Sequence, residues 1–148
     1  MSIYVLRLGH RFVRDDRTTT HVALVSRAFG CKKIFMTEVD DSILQTVKKV
    51  CEDWGGSNEF GIEIIHDWKS LLSSWKKQNG MIVHLTMYGI NIENQSLNFS
   101  VKKNILLVRS QQGTKGSLFA GRFEYRCWES TSFRNCCIGN FLGQVLSW

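Results

Sequence analysis

Residues 7–30, RLGHRFVRDDRTTTHVALVSRAFG, decide the fold of this chain. They overlap the end of an apolar run, Ile3–Leu8, which predicts a first strand, and they finish in Thr20–Gly30, where apolar residues recur at helical spacing. Gly9 opens the loop between the two, the three threonines offer N-cap hydroxyls, and Gly30 occupies a C-cap position. The stretch therefore predicts a strand, a short loop and a helix.

The loop and the start of the helix are strongly cationic. The basic side chains are Arg7, His10, Arg11, Arg14, Arg17 and His21. A cationic loop between a strand and a helix is suited to an anionic ligand. The alternative is a solvated basic loop in which Asp15 and Asp16 pair with some of the arginines, and charge alone leaves both interpretations open.

Length and composition limit the class of protein to which this loop can belong. A chain of 148 residues predicts a single domain with a substantial core. No stretch approaches the ~20 apolar residues of a membrane span, and no charged and then apolar leader precedes the first strand, so we expect a cytoplasmic protein without a membrane segment. The formal net charge of +6 is compatible with a nucleic-acid partner.

The five cysteines predict free thiols rather than disulfides or a metal site. Their number is odd, no Cys-x-x-Cys occurs, and Cys31 and Cys51 stand singly in predicted elements. Cys127, Cys136 and Cys137 lack zinc-ligand spacing and a nearby histidine. We therefore expect no metal.

Strand-like and helix-like segments alternate after the first helix. The predicted strands are Lys33–Met36, Phe60–Ile65, Met81–Leu85 and Ile105–Val108. A second helix begins near Asp40, presents Ile43, Val47, Val50 and Trp54 at helical spacing and stops at Gly55-Gly56, and a third is capped by Asp67 and carries Trp68, Leu71, Leu72 and Trp75. This alternation predicts an α/β fold, a parallel sheet with helices on both faces. Ligands collect at the carboxyl ends of such strands, where the basic loop and His84–Gly89 both lie.

Two stretches together closely resemble one family. Residues 7–30 and His84–Gly89, HLTMYG, are similar in order and spacing to the motifs of the archaeal tRNA (cytidine(56)-2'-O)-methyltransferases, of the SPOUT class of knotted methyltransferases. The resemblance covers about residues 3–108. It implies a SPOUT-like α/β trefoil knot, a homodimer, S-adenosyl-L-methionine as methyl donor, and the ribose 2'-hydroxyl of cytidine 56 in the tRNA T-loop as acceptor.

The resemblance also implies roles for individual residues. The candidates to act at the 2'-hydroxyl are Arg17 and Arg14, those to bind tRNA are Arg7, His10, Arg11 and His21, and those to bind the methyl donor are Leu85, Thr86 and Gly89. Three alternatives stay open. Asp15 or Asp16 orients the catalytic guanidinium or only places charge at a helix start; His21 caps the helix or binds RNA; and Leu85 contacts the donor or ends a core strand.

After Val108 the family's motifs are absent as written, and a shifted reading frame restores them. Residues 109–115 can be coded AGG AGC CAA CAA GGT ACC AAG, which one base later reads Gly-Ala-Asn-Lys-Val-Pro, the family's loop. Residues 128–135 can be coded to read Gly-Asn-Gln-Pro-His-Ser-Glu in the same frame. We hypothesise that 1–108 is the family's part of one SPOUT-like domain, and that 109–148 is an out-of-frame tail that disrupts the C-terminal knot.

Three functions are compatible with these features of the sequence. The first is a tRNA 2'-O-methyltransferase. The second is a catalytically inactive remnant that binds RNA but has a damaged cofactor site. Periodicity alone also allows an unrelated α/β protein that binds a small molecule, which the shared strings disfavour.

Overall fold

The computed structural model describes residues 2–12, 14–55, 59–86, 90–91, 104–110, 123–126 and 142–143. The predicted donor-binding Gly89, the loop proposed at 111–115 and the segment at 128–135 lie outside the described residues. The strands are β1 Ile3–Leu8, β2 Lys33–Met36, β3 Gly61–Ile64, β4 Met81–Thr86, β5 Ile90–Asn91, β6 Ile105–Ser110 and β7 Phe123–Arg126. The helices are α1 Asp16–Ala28, α2 Asp41–Asp53 and α3 Trp68–Lys77.

The strands form one sheet in the order β3-β2-β1-β6-β4-β7-β5. Each of the six pairings between the described strands is parallel. Strand β1 lies between β2 and β6, and β6 in turn pairs with β4. The predicted parallel α/β sheet is confirmed, and the carboxyl ends of its central strands meet at one edge, where a ligand can reach several of them at once.

Helices cover both faces of this sheet, as predicted. Apolar side chains of α1 and α2, including Val22 and Val47, pack with Val5 of β1 in one core cluster. Leu72 of α3 packs with Leu6 of β1 in a second cluster on the other face. Alternate residues of β1 thus point to opposite sides, which is why the strands read as continuous apolar runs.

Helix α1 begins earlier than the sequence predicts. We expected a start at Thr20 with a threonine cap, but the helix starts at Asp16, and Thr18, Thr19 and Thr20 lie inside its first turns. Asp15 occupies the N-cap position, where the described residues show no side-chain capping bond. The prediction was wrong because Asp16 serves the first turn and Thr19 is used for a side-chain contact described below. The end of the helix is as predicted, with Gly30 at φ +70°.

The other two helices largely follow their sequence signals. Asp67 caps α3 by accepting hydrogen bonds from the backbone N–H groups of Lys69 and Ser70, as predicted. On α2, Ile43 and Val47 are buried as expected. Trp54 is not on that buried face, because the helix ends at Asp53 and leaves the indole 80% exposed.

The sheet continues past Val108. Strand β6 runs to Ser110 and pairs with β1 over its whole length. Strand β7 lies within the segment proposed as an out-of-frame tail and pairs with β4. The path that would form or break a knot lies outside the described residues. Among the described helices, none has the length and apolar character needed to cross a bilayer.

Candidate functional site

The basic loop connects the carboxyl end of β1 to α1, at the carboxyl edge of the sheet, which is the ligand-binding edge of parallel α/β sheets in general. In the register of neighbouring strands, Arg7 of β1 lies opposite Arg109 of β6, and Arg109 lies opposite Leu85 of β4. Three adjacent strand ends therefore bring the basic stretch, a second arginine and a predicted donor-binding residue to one place. Local sequence patterns do not predict this proximity, because residues 7 and 109 are far apart along the chain.

Arg7 is completely buried. Its Nη1 donates to the carbonyl oxygen of Leu8 at 2.9 Å, while its Nε and Nη2 have no hydrogen-bond partner among the described residues. Burial, followed by the repulsion of Arg109, lowers the pKa of Arg7 to about 10, against an opposing effect of Asp15. A contact of Arg7 with an RNA backbone stays a prediction, and this side chain presents no surface for it in the structure.

Asp15 fixes the shape of the loop. Its buried carboxylate accepts hydrogen bonds from the Arg11 backbone N–H at 2.9 Å and from the Arg11 Nε at 3.3 Å. The Arg11 side chain is 44% exposed, so its guanidinium is held at the surface by a partner underneath it. The carboxylate that the sequence suggested for orienting Arg14 or Arg17 is thus engaged with Arg11.

His10 is a second buried member of the loop. Its Nδ1 lies 2.9 Å from the Thr19 Oγ1, and its Nε2 lies 3.3 Å from the Asp16 Oδ1 without hydrogen-bond alignment. These contacts tie the loop to the first turns of α1. Its predicted contact with tRNA is not tested by this geometry, in which the side chain is completely buried and contacts the start of α1.

The exposed basic side chains form an outer layer of the same segment. Arg14 precedes α1, and Arg17 and His21 stand one turn apart on the helix, all three exposed to solvent. The positive end of the helix dipole lies at the same terminus. A large anion can reach this outer layer from solvent, whereas Arg7 and His10 are buried.

The predicted donor-binding residues lie at the end of β4. Leu85 is 1% exposed and belongs to the main core cluster, so both its readings, as a core leucine and as a donor contact, are compatible with its position. The backbone of Thr86 ends the strand. Gly89 lies outside the described residues.

Several features were missed by sequence reasoning. Phe12 is 58% exposed in the middle of the basic loop, and Arg109 is buried beside Arg7. Arg27 donates to the backbone carbonyls of Trp54 and Gly55, just after the end of α2. An exposed Phe between two basic residues was a visible signal, whereas the other two contacts depend on the fold.

The cysteine prediction is confirmed for the two thiols that the structure describes. Cys31 and Cys51 are free and buried. Burial raises the pKa of the Cys31 thiol to about 12, which keeps it protonated and inert. Within the described ranges, no three His, Cys, Asp or Glu side chains are grouped as metal ligands.

Comparison with known proteins identifies the relatives of this chain. Residues 54–119 match the family model described as tRNA ribose 2'-O-methyltransferase, aTrm56, a match that continues past Val108. The tRNA (cytidine(56)-2'-O)-methyltransferase of Nitrosopumilus maritimus is 48% identical over 108 residues, which cover 73% of this chain and 60% of that protein. The chain thus spans about 60% of the length of this curated relative.

Solved structures with little sequence identity share the fold. An rRNA methyltransferase from Sinorhizobium meliloti superposes with a TM-score of 0.70 at 16% identity, covering 99% of this chain and 56% of that one. The SpoU methyltransferase AviRb from Streptomyces viridochromogenes, solved with the cofactor AdoMet, gives 0.65 at 6% identity and covers 98% and 58%. This chain is therefore a homologue of the archaeal tRNA (cytidine(56)-2'-O)-methyltransferases, and its sheet has the SPOUT fold.

Proposed function

We propose that this chain is a cytoplasmic tRNA 2'-O-methyltransferase that transfers a methyl group from S-adenosyl-L-methionine to the 2'-hydroxyl of cytidine 56 in the T-loop. The observation that carries the proposal is the 48% identity to a protein of that name, which extends over 73% of the chain. The exposed cations at the carboxyl edge of the sheet support it, since an RNA substrate needs charge at the place where the donor binds.

We propose that Arg17 and Arg14 act at the acceptor. A 2'-hydroxyl is a weak nucleophile until its proton is polarised or removed. An arginine is hard to deprotonate, because its pKa exceeds ~12, so it serves better by stabilising the developing alkoxide than as a base. Both guanidiniums are exposed at the start of α1, and a substrate can approach them from solvent.

Arg11 and His21 are proposed to bind the tRNA backbone beside them. Arg11 is positioned by the buried Asp15, which leaves part of its guanidinium exposed for a phosphate. Arg7 would contribute a buried charge beneath the same substrate site, and His10 would support the loop through its contact with Thr19.

The methyl donor is proposed to bind at the ends of β4 and β6. When bound, S-adenosyl-L-methionine supplies an electrophilic methyl group on a sulfonium. Leu85 supplies apolar surface at this position, with Thr86 and Gly89 continuing the segment. The chain's task is to hold the 2'-oxygen in line with that methyl group, since positioning contributes much of the rate of a displacement. We also propose a homodimer, as the resemblance implies.

The alternative is an inactive RNA-binding remnant, and it follows from the segment after Val108. We propose that residues from about Arg109 are translated out of frame. The recovery of two family motifs in one shifted frame, at 109–115 and at 128–135, supports this. An unbroken reading frame with unrelated codons in the nucleotide sequence would refute the frame hypothesis.

The test of the function is methyl transfer from labelled S-adenosyl-L-methionine to a tRNA transcript. The control transcript lacks the 2'-hydroxyl at nucleotide 56. The proposal expects labelling of the first transcript and none of the second. Calorimetry of donor binding, run on this chain beside a restored-frame chain, separates the alternatives. Binding of tRNA without binding of the donor by this chain would identify the remnant.

A further inference from the structure

We propose that Phe12 is a stacking platform for an unpaired base of the RNA substrate. The inference rests on the proposed function, in that it takes the substrate to be RNA, and it adds a recognition residue that none of the motifs assigns. A base is recognised here through its π-face, which every base offers, and not through its hydrogen-bonding edge.

The first observation is the exposure of the ring. Phe12 and Trp54 are the two large apolar side chains that the described residues leave exposed, at 58% and 80%. They lie at opposite edges of the sheet. Phe12 follows the carboxyl end of β1, whereas Trp54 lies at the end of α2, where the last turn of α1 reaches it through Arg27. Only Phe12 is therefore at the ligand-binding edge.

The second observation is that the ring is supported from below. Its centroid lies 5.5 Å from that of His10, with the ring planes at 88°. His10 is itself held between Thr19 and Asp16. An edge-to-face contact with a buried, anchored ring is favourable and limits the orientations of the phenyl group. A platform that is already ordered loses little entropy when a base stacks on it.

The third observation is the charge around the ring, which selects the occupant. Arg11 and Arg14 flank Phe12 in sequence with exposed guanidiniums, and Arg17 and His21 continue the cationic surface along α1. This surface is complementary to a phosphate backbone. A second copy of the chain would bring the same positive charges against it, which disfavours self-association through this patch. An aromatic ring among cations is the arrangement by which proteins hold single-stranded nucleic acid.

The experiment measures the affinity of the full chain for a tRNA transcript by fluorescence anisotropy at one fixed salt concentration. Phe12→Ala should weaken binding between about 5-fold and about 150-fold, the range for loss of one base stack. Phe12→Tyr keeps the ring and should bind like the parent chain. Phe12→Leu keeps apolar bulk without a π-face and should resemble Phe12→Ala. Trp54→Ala is the matched control and should leave the affinity unchanged.

A second arm identifies the base by a double-mutant cycle. Transcripts with an abasic site at each T-loop nucleotide are bound by the parent chain and by Phe12→Ala. The stacked base is the one whose removal weakens the parent chain but adds no further loss to Phe12→Ala. Additive losses at every T-loop position would overturn the inference, as would equal affinities for Phe12→Leu and the parent chain.

The outcomes separate this inference from the proposed function. Methylation at nucleotide 56 with no effect of Phe12→Ala on binding would overturn the platform and leave the enzyme standing. A Phe12-dependent affinity for RNA, coupled to one T-loop base but without methylation, would support the platform in an inactive remnant. No affinity for tRNA would overturn both. A change in sedimentation of Phe12→Ala, with unaltered RNA affinity, would assign the ring to self-association and overturn the platform.

Discussion

The basic stretch contains two sets of basic side chains, each made of arginine and histidine, that differ in exposure. Arg7 and His10 are buried, whereas Arg14, Arg17 and His21 of the same stretch face solvent. The buried set contacts a backbone carbonyl and the side chains that join the loop to α1. The exposed set follows Phe12 along the loop and the first turns of α1. A cationic run in a sequence can thus hold a supporting layer and a binding layer, and the comparison predicts opposite consequences for mutations in the two.

The largest effect is expected for Arg17→Ala. Under the proposed function it removes a cation from the acceptor, and the loss of one such preorganised donor lowers kcat by about 10²–10³-fold. Because the side chain is exposed, the free energy of unfolding should change by no more than about 0.5 kcal/mol. Single-turnover methylation and urea denaturation of the same preparation measure the two quantities.

Arg14→Ala is the matched variant for that measurement. If both arginines lower kcat to the same extent, the acceptor is held by the pair. If Arg17→Ala weakens tRNA affinity without lowering kcat, Arg17 belongs to substrate binding, and its assignment to the acceptor is wrong.

Arg7→Met tests the buried layer. The pKa of Arg7 is lowered to about 10 by burial first and by Arg109 next, which corresponds to a cost of about 3 kcal/mol for keeping the side chain charged in the fold at neutral pH. Methionine fills a similar volume without that cost, and exchanges of buried charge for apolar side chains are often neutral or stabilising by about 1–4 kcal/mol. We expect Arg7→Met to be at least as stable as the parent chain, and Arg7→Lys to be no more stable than it.

The same lowered pKa gives the stability a particular dependence on alkaline pH. Between about pH 10 and the ordinary arginine pKa above ~12, the folded chain binds fewer protons at Arg7 than the unfolded chain does. The parent chain should therefore gain stability relative to Arg7→Met as the pH rises through this interval. Urea denaturation of both chains at pH 9 and pH 11 measures the difference, and a constant difference would show that Arg7 is not desolvated as described.

How much of this could be predicted from the sequence depends on the range of the contacts. The strands β1 and β2, the cap at Asp67 and the end of α1 at Gly30 follow from local signals and are confirmed. The start of α1 was misplaced because Asp15 and Thr19 are used by side chains of the loop, which local cap preferences do not include. The burial of Arg7 and Arg109 arises only when β6 inserts between β1 and β4. The position of the basic stretch after the carboxyl end of β1 follows from local signals and is confirmed, but its division into a buried and an exposed layer depends on the fold.

Asp15→Asn measures how far the buried layer positions the exposed one. Asparagine keeps the shape and removes the charge that holds the Arg11 side chain. Loss of a charge-assisted hydrogen bond at a buried carboxylate should cost about 1–3 kcal/mol of the free energy of unfolding. If Arg11 binds phosphate from this position, tRNA affinity should fall as well. Arg11→Ala is the control, because a loss of affinity with Asp15→Asn that persists in the double variant would not act through Arg11.

The smallest effect on the free energy of unfolding is expected at Asp67. This exposed carboxylate caps the start of α3 with its side chain. Its Oδ1 accepts from the backbone N–H groups of Lys69 and Ser70, each at 3.1 Å, and its Oδ2 accepts from the Ser70 hydroxyl. These hydrogen bonds, the Ser70 hydroxyl first, lower the pKa of Asp67 below its ordinary value. The folded carboxylate therefore holds its proton less tightly than the unfolded one. Its contribution to stability is complete above the ordinary pKa of ~4 and is lost as the pH falls below it.

Asp67→Ser keeps a capping oxygen that does not titrate, and Asp67→Ala removes the cap altogether. Urea denaturation at pH 7 and pH 3 should show that the parent chain's advantage over Asp67→Ser shrinks at pH 3. An advantage that stays the same at both pH values would mean that the cap acts through geometry alone.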